Sequence, residues 1–209
     1  QAMFRNPLAT PFTLGVSSGA SLGAAIYVWL GLTGLSGMGG FAFGGALMSI
    51  LLVYGLTRTR REFSTSTMLL AGVAISFFFS SLILFVQYLS DFNQSFRIVR
   101  WLMGGVETSG YDALLNLAVF VIIGAALLLA LRHELNLLML GEDIAVSRGA
   151  NVKVVKTLLF FSASLMVGGV VSICGPIGFV GMMCPHICRL IVGPNHRILM
   201  PTTFVFGGV

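Results

Sequence analysis

The sequence predicts an all-α, polytopic membrane bundle, and three observations carry that prediction. Of 209 residues, 56% are hydrophobic and only 9% charged, against roughly a quarter charged in a soluble domain, and the mean hydropathy is +0.97. No charged residue occurs between Asn6 and Thr57, a stretch too long for one span of about 20 residues. Beyond it, apolar runs of span length alternate with polar connections. Lipid offers no partner to an open backbone, so such runs cross a membrane as helices. The 26 glycines and ten methionines fit close helix packing in lipid.

Taken in order, the charge-free stretch divides at the glycine-rich turn 31–40 into spans 12–30 and 41–56. Residues 57–66 form a charged loop and 67–89 a third span. Residues 90–112 are a polar, mixed-charge connection containing a short helix, 94–103, ahead of Gly104 and Gly105. Spans four and five follow at 113–131 and 154–173. Gly175, Pro176, Gly178, Gly181 and Pro185 then interrupt the apolar run to Val192, which predicts a broken or half-length membrane helix. Such backbone persists at membrane depth only when buried in protein or lining a cavity. Residues 198–209 open a seventh span. The short polar start at 1–7 and the apolar end lead us to expect an internal portion of a longer protein, a single membrane domain over 1–209.

The longest polar passage is 140–156, LGEDIAVSRGANVKVVK. Glu142 and Asp143 suit a helix start, Arg148 its last turn, and Gly149 the left-handed residue that closes it. Asn151 then caps a second helix carrying Lys153 and Lys156. This predicts two helices meeting at a tight corner, within a docking region over 136–153. Alternating the spans leaves Arg5, Arg58, Arg60, Arg61, Arg132, Arg148, Lys153, Lys156, Arg189 and Arg197 on one side and only Arg97 and Arg100 on the other. The basic side is cytoplasmic by the positive-inside rule, so the corner lies inside the cell and 90–112 outside or in the periplasm.

Several residue patterns invite chemistry. Gly15, Gly19 and Gly23 repeat every fourth position with Ser17, Ser18 and Ser21 beside them, a packing seam abutting a polar path. Ser64, Thr65 and Ser66 place small hydroxyls where the third span starts and fit a narrow cytoplasmic constriction. Arg97 and Arg100, three apart, share a helix face suited to carboxylates of a partner. Cys184, His186 and Cys188 suggest a metal site, but on a helix His186 lies about 200° from Cys184, and no fourth ligand is evident. Three cysteines with Cys174 included do not make a disulfide framework. No phosphate-binding glycine loop, catalytic triad or carboxylate pair can be assembled. The basic residues are scattered at span edges without an aromatic platform, which argues against nucleic acid. No charged residue falls in the middle of spans one to five, which disfavours proton- or sodium-coupled transport.

Four passages carry a resemblance: RNPLATPFTLGVSSGASLGA (5–24), STS with LLAGVAIS (64–76), LGEDIAVSRGANV (140–152) and GPIGFVGMMCPHICRLIVGPNHR (175–197). Together they resemble the permeases of bacterial ABC importers for iron-siderophores, haem and cobalamin, the FecCD/BtuC-like type II importers. The resemblance implies about ten membrane helices in the intact subunit, of which six to seven are expected here. It implies a dimer of permease subunits in the bacterial inner membrane, two cytoplasmic ATPases holding ATP and Mg, and a periplasmic or lipid-anchored binding protein; no cofactor is expected in this chain. By matching motif, Gly141, Glu142, Asp143, Ala145, Arg148 and Gly149 correspond to coupling helices on the ATPase. Asn6, Pro7 and Leu8 with Ser64, Thr65 and Ser66 correspond to the cytoplasmic mouth, and the helix around Arg97 and Arg100 to the surface facing the binding protein. Gly175, Pro176, Pro185, His186 and Arg189 match the family's broken-helix motif, whereas Cys184 and Cys188 depart from it. The implied mechanism is ATP-driven alternating access. A membrane redox or metal protein and a secondary transporter stand as the alternatives.

Overall fold

A computed structural model describes residues 3, 4, 6, 9, 10, 12–58, 65–106 and 111–208. Arg5, Pro7, Leu8, Arg60, Arg61 and Ser64 lie outside the described residues, as does the side chain of Arg58. Within them the chain is helical, in the order α1 (Val16–Trp29), α2 (Leu35–Arg58), α3 (Thr65–Leu89), α4 (Phe92–Leu102), α5 (Tyr111–Ala130), α6 (Arg132–Leu140), α7 (Glu142–Ser147), α8 (Val152–Cys174), α9 (Val180–Val192) and α10 (His196–Phe206).

Three of these, α2, α3 and α8, are long and apolar enough to cross a membrane by length and composition, and a fourth span results if α5 and α6, bent by 53°, act together. The other apolar helices expected to span, α1, α9 and α10, fall short of that length among the described residues. The first expected span is cut short at its start. Thr10 and Thr13 exchange hydrogen bonds in a turn, and Gly15 follows at φ 82°, leaving 14 residues in α1. Gly15 is therefore the residue before the helix and not the first of three in a helical row. Two further expected spans are short helices: α9 has 13 residues with Pro185 inside, and α10 has 11 with Pro201 inside.

Short as it is, α1 is the centre of the bundle. Eleven of its 14 residues are buried, and it packs against α2, α3, α4 and α8. Small residues make this possible. A Cβ on Gly19 would strike the carbonyl of Gly45 on α2, and one on Gly23 would strike the Phe41 carbonyl, so the two backbones approach as only glycine allows. Gly72 of α3 lies as closely against Thr13 and Leu14. The Ser49 hydroxyl of α2 donates to the Gly15 carbonyl at 2.7 Å, satisfying a backbone group at the buried start of α1.

Outside this core, α4 lies across the end of α1. It starts two residues before the expected 94–103 helix because Asp91 and Gln94 form a reciprocal capping box, and the Gln94 amide also donates to the Trp29 carbonyl at 3.2 Å. A second apolar cluster joins α6, α7 and α8 around Leu135, Leu138, Ala145, Val155 and Leu159. Helix α6 was not expected. Its charged start, Arg132, His133 and Glu134, reads as a loop, yet Leu135 and Leu138 turn one face of it into that cluster.

Candidate functional site

A recess of about 460 Å³ opens between α1 and α3. From α1 it receives Ser17, Ser18 and Ser21, and from α3 Ser76, Ser80, Ile83, Leu84 and Gln87; Phe12, Leu102 and Pro176 complete its lining. Positions 76, 80, 83 and 87 recur at helical spacing, so one face of α3 lines the recess. Two hydroxyls are turned back on their own helices, Ser18 to the Gly15 carbonyl at 3.0 Å and Ser76 to the Gly72 carbonyl at 2.8 Å. The Ser17 hydroxyl oxygen is buried beneath the lining and has no hydrogen-bond partner among the described residues. Among the described residues no charged side chain lines the recess. Its size falls within the usual range of small-molecule sites, about 300–1,000 Å³.

One end of the recess is closed where α4 and α8 both terminate. Gly104 and Gly175 adopt φ 66° and 69°, and the Gly105 amide donates to the Cys174 carbonyl at 2.8 Å. A Cβ on Gly104 would press on the Pro176 carbonyl and one on Gly175 on the Trp101 carbonyl. The expected Gly175–Pro176 break is thus a tied junction between two helix ends. Arg97 and Arg100 are exposed on α4 nearby.

The polar passage forms a corner of three helices. Gly141, at φ 145°, separates α6 from α7, and Glu142 and Asp143 occupy the first turn of α7. Arg148 is the residue after the helix and not in its last turn. Gly149 at φ 83° closes the end, its amide bonded to Val146 at 2.9 Å and the Ala150 amide to Ala145 at 3.0 Å. Asn151 accepts from the Val154 amide at 3.3 Å and starts α8. Ala145 is buried, whereas Asp143, Ile144, Val146, Ser147, Arg148 and Gly149 are exposed, so α7 presents a mixed apolar and charged surface.

Near the corner, His196 at the turn into α10 is buried. Its Nδ1 lies 2.8 Å from Asn136 Oδ1, which also accepts from the His196 amide at 3.1 Å. The Asn136 amide donates to Asn195 Oδ1 at 3.2 Å. Burial, and then the Arg189 charge, holds the imidazole below its usual value.

Of the other expected residues, Asn6 and Thr65 are half-buried and Ser66 is exposed; Leu8 and Ser64 lie outside the described residues. Pro185 and Arg189 line a large apolar cavity with His196, and His186 is exposed. Cys174 and Cys184 are half-buried and Cys188 buried. No three His, Cys, Asp or Glu side chains converge as metal ligands among the described residues. Sequence reasoning missed Ser76, Ser80 and Gln87, which the spacing on α3 could have revealed, and the buried position of Lys156, which it could not.

The buried small-residue core and the charge-free, hydroxyl-lined recess define a polytopic helical membrane protein of the permease type. The chain belongs to the FecCD transport family, which matches it over residues 1–209. It is 38% identical over 208 residues to the cobalamin import system permease protein BtuC of Halobacterium salinarum, covering 100% of this chain and 56% of that protein. It is 34% identical over 210 residues to the molybdate import system permease protein MolB of Haemophilus influenzae, covering 99% and 61%. A protein assigned as a metal-chelate type ABC transporter, solved in an inward-facing conformation, superposes with a TM-score of 0.92 at 34% identity over 99% of this chain and 66% of that one. The chain therefore spans between half and two thirds of the length of these relatives.

Proposed function

We propose that this chain is the membrane-spanning core of a permease subunit in a binding-protein-dependent ABC importer of the bacterial inner membrane. The cargo is a metal chelate, either an iron complex of a siderophore or haem, or cobalamin. The observation that carries this reading is the family match along the whole chain, together with relatives whose names include a cobalamin importer. In this reading ATP and Mg are held by two partner ATPases, a second permease subunit completes the path, and an external binding protein delivers cargo.

Each part of the structure then has a task. The recess between α1 and α3 offers neutral hydrogen-bonding groups, among them Ser80 and Gln87, to polar edges of the cargo. Asn6 and Leu8 with Ser64, Thr65 and Ser66 bound the cytoplasmic mouth. Helix α7 enters a groove of the ATPase, with buried Ala145 facing the bundle and its exposed face outward. Arg97 and Arg100 meet carboxylates of the binding protein. The likeness to an inward-facing structure supports assigning this conformation to the state open toward the cytoplasm.

The test uses the full-length permease with its ATPase and binding protein in proteoliposomes. Uptake of cyanocobalamin, a ferric siderophore, haem and molybdate is measured with and without ATP. ATP- and binding-protein-dependent accumulation of one chelate is expected. Uptake of molybdate alone would replace the chelate, a result that the similarity to a molybdate permease makes worth including. Accumulation driven by an ion gradient without the ATPase would replace the importer reading by a secondary transporter.

A further inference from the structure

Lys156 stands on the first turns of α8, where sequence places it among the cytoplasmic positive charges, yet it is only 2% exposed. Its ammonium donates to Glu142 Oε1, in the first turn of α7, at 2.7 Å. The Glu142 side chain is 52% exposed. The carboxylate thus keeps water on its outer side while the ammonium is enclosed against the cluster that joins α6, α7 and α8. A buried ammonium parted from its carboxylate is strongly unfavourable, so this pair holds α7 and α8 at a set separation.

The covalent link between the same helices is the short capped turn 148–151, where Gly149 is exposed and nothing lies within 4 Å of where its Cβ would be. The apolar contacts of Ala145 with its neighbours add attraction without direction. The ion pair is a directional side-chain link from α7 to α8.

We propose that Lys156 is the positioning residue of this corner. By clamping Glu142 it makes α7 and the start of α8 one body, so that displacement of α7 by the ATPase is delivered to α8. Through α8 it reaches α1 and α2, which α8 packs against. The proposal rests on the reading of α7 as the ATPase-docking element.

The experiment measures cargo molecules imported per ATP hydrolysed by the complete importer in proteoliposomes, using whichever of the four probes the wild type accumulates. Lys156→Met is expected to retain the ATPase on purification and to hydrolyse ATP, while cargo per ATP falls about fivefold or more, the scale of an allosteric coupling. Lys156→Arg, which keeps the charge, is expected to stay within about twofold of wild type. A merely structural pair would lower protein yield without changing that ratio. If Lys156→Met fails to assemble, the double variant Lys156→Met with Glu142→Gln is read in its place, since it removes both charges of the pair. An unchanged ratio in either, with ATPase docking intact, overturns the proposal. Asp143→Lys, on the exposed side of the same turn, separates the two levels. Loss of ATPase co-purification supports docking by α7, and unchanged co-purification removes both the docking reading and the clamp.

Discussion

Gly149 sits at φ 83° with open space around its missing side chain, so any substitution there acts through the backbone alone. A β-branched residue in this region costs about 1–2 kcal/mol, whereas Asn tolerates it. Gly149→Val is therefore expected to lower cargo per ATP or ATPase association while the protein still inserts, and Gly149→Asn to stay close to wild type. Equal behaviour of the two in proteoliposome uptake would show that the left-handed turn is not what matters. This residue was legible in the sequence, because a glycine after a polar helix and before an Asn cap has few other purposes. Lys156 was not, because a lysine near a span end reads as a cytoplasmic anchor whether it faces water or a carboxylate across a corner. The Ser17 hydroxyl was only half legible: its place beside a packing seam follows from the glycine spacing, but its burial without a partner depends on packing that spacing does not show.

At the level of elements, the α1–α2 seam is the tightest interface that glycine spacing foretold. Gly19 and Gly45 each occupy the space that a Cβ on the other would need. Gly19→Val is expected to destabilise the bundle by about 1–3 kcal/mol or more through overpacking. Gly44→Ala on the same α2, where nothing lies within 4 Å, should be close to neutral. Thermal unfolding of the detergent-purified variants distinguishes them, and a tolerated Gly19→Val would mean that α1 and α2 can separate without loss. Most helices were legible from apolar runs and their breaks. Two features were not. Helix α6 hides because Arg132, His133 and Glu134 break the hydropathy while Leu135 and Leu138 carry the burial. The start of α1 was misplaced because the Thr10–Thr13 turn and Gly15 lie in sequence as apolar as a span.

Across the whole molecule, His196 and Asn136 tie α10 to α6, joining the last helix to the corner. The imidazole is held below its usual value by burial and by Arg189, so the folded protein binds its proton later than the unfolded chain does. As pH falls through about 6.5, the unfolded state gains protons first, and stability declines until the folded-state value is passed. The unfolding temperature of the detergent-purified protein is expected to drop between pH 7.5 and 5.5 by more than in His196→Gln; equal drops would remove the role. At this scale the family was legible from four motifs in order. Which of the helices reach full span length was not, because the Thr10–Thr13 turn shortens α1, Pro185 lies inside a 13-residue α9 and α5 bends into α6. The junction of α4 and α8 has an electrostatic consequence as well. The two helices end on either side of the Gly105–Cys174 hydrogen bond, and a helix C-terminus carries a partial negative charge of up to roughly half a unit. The end of the recess lined by Leu102 and Pro176 therefore lies beside two partly negative backbone ends.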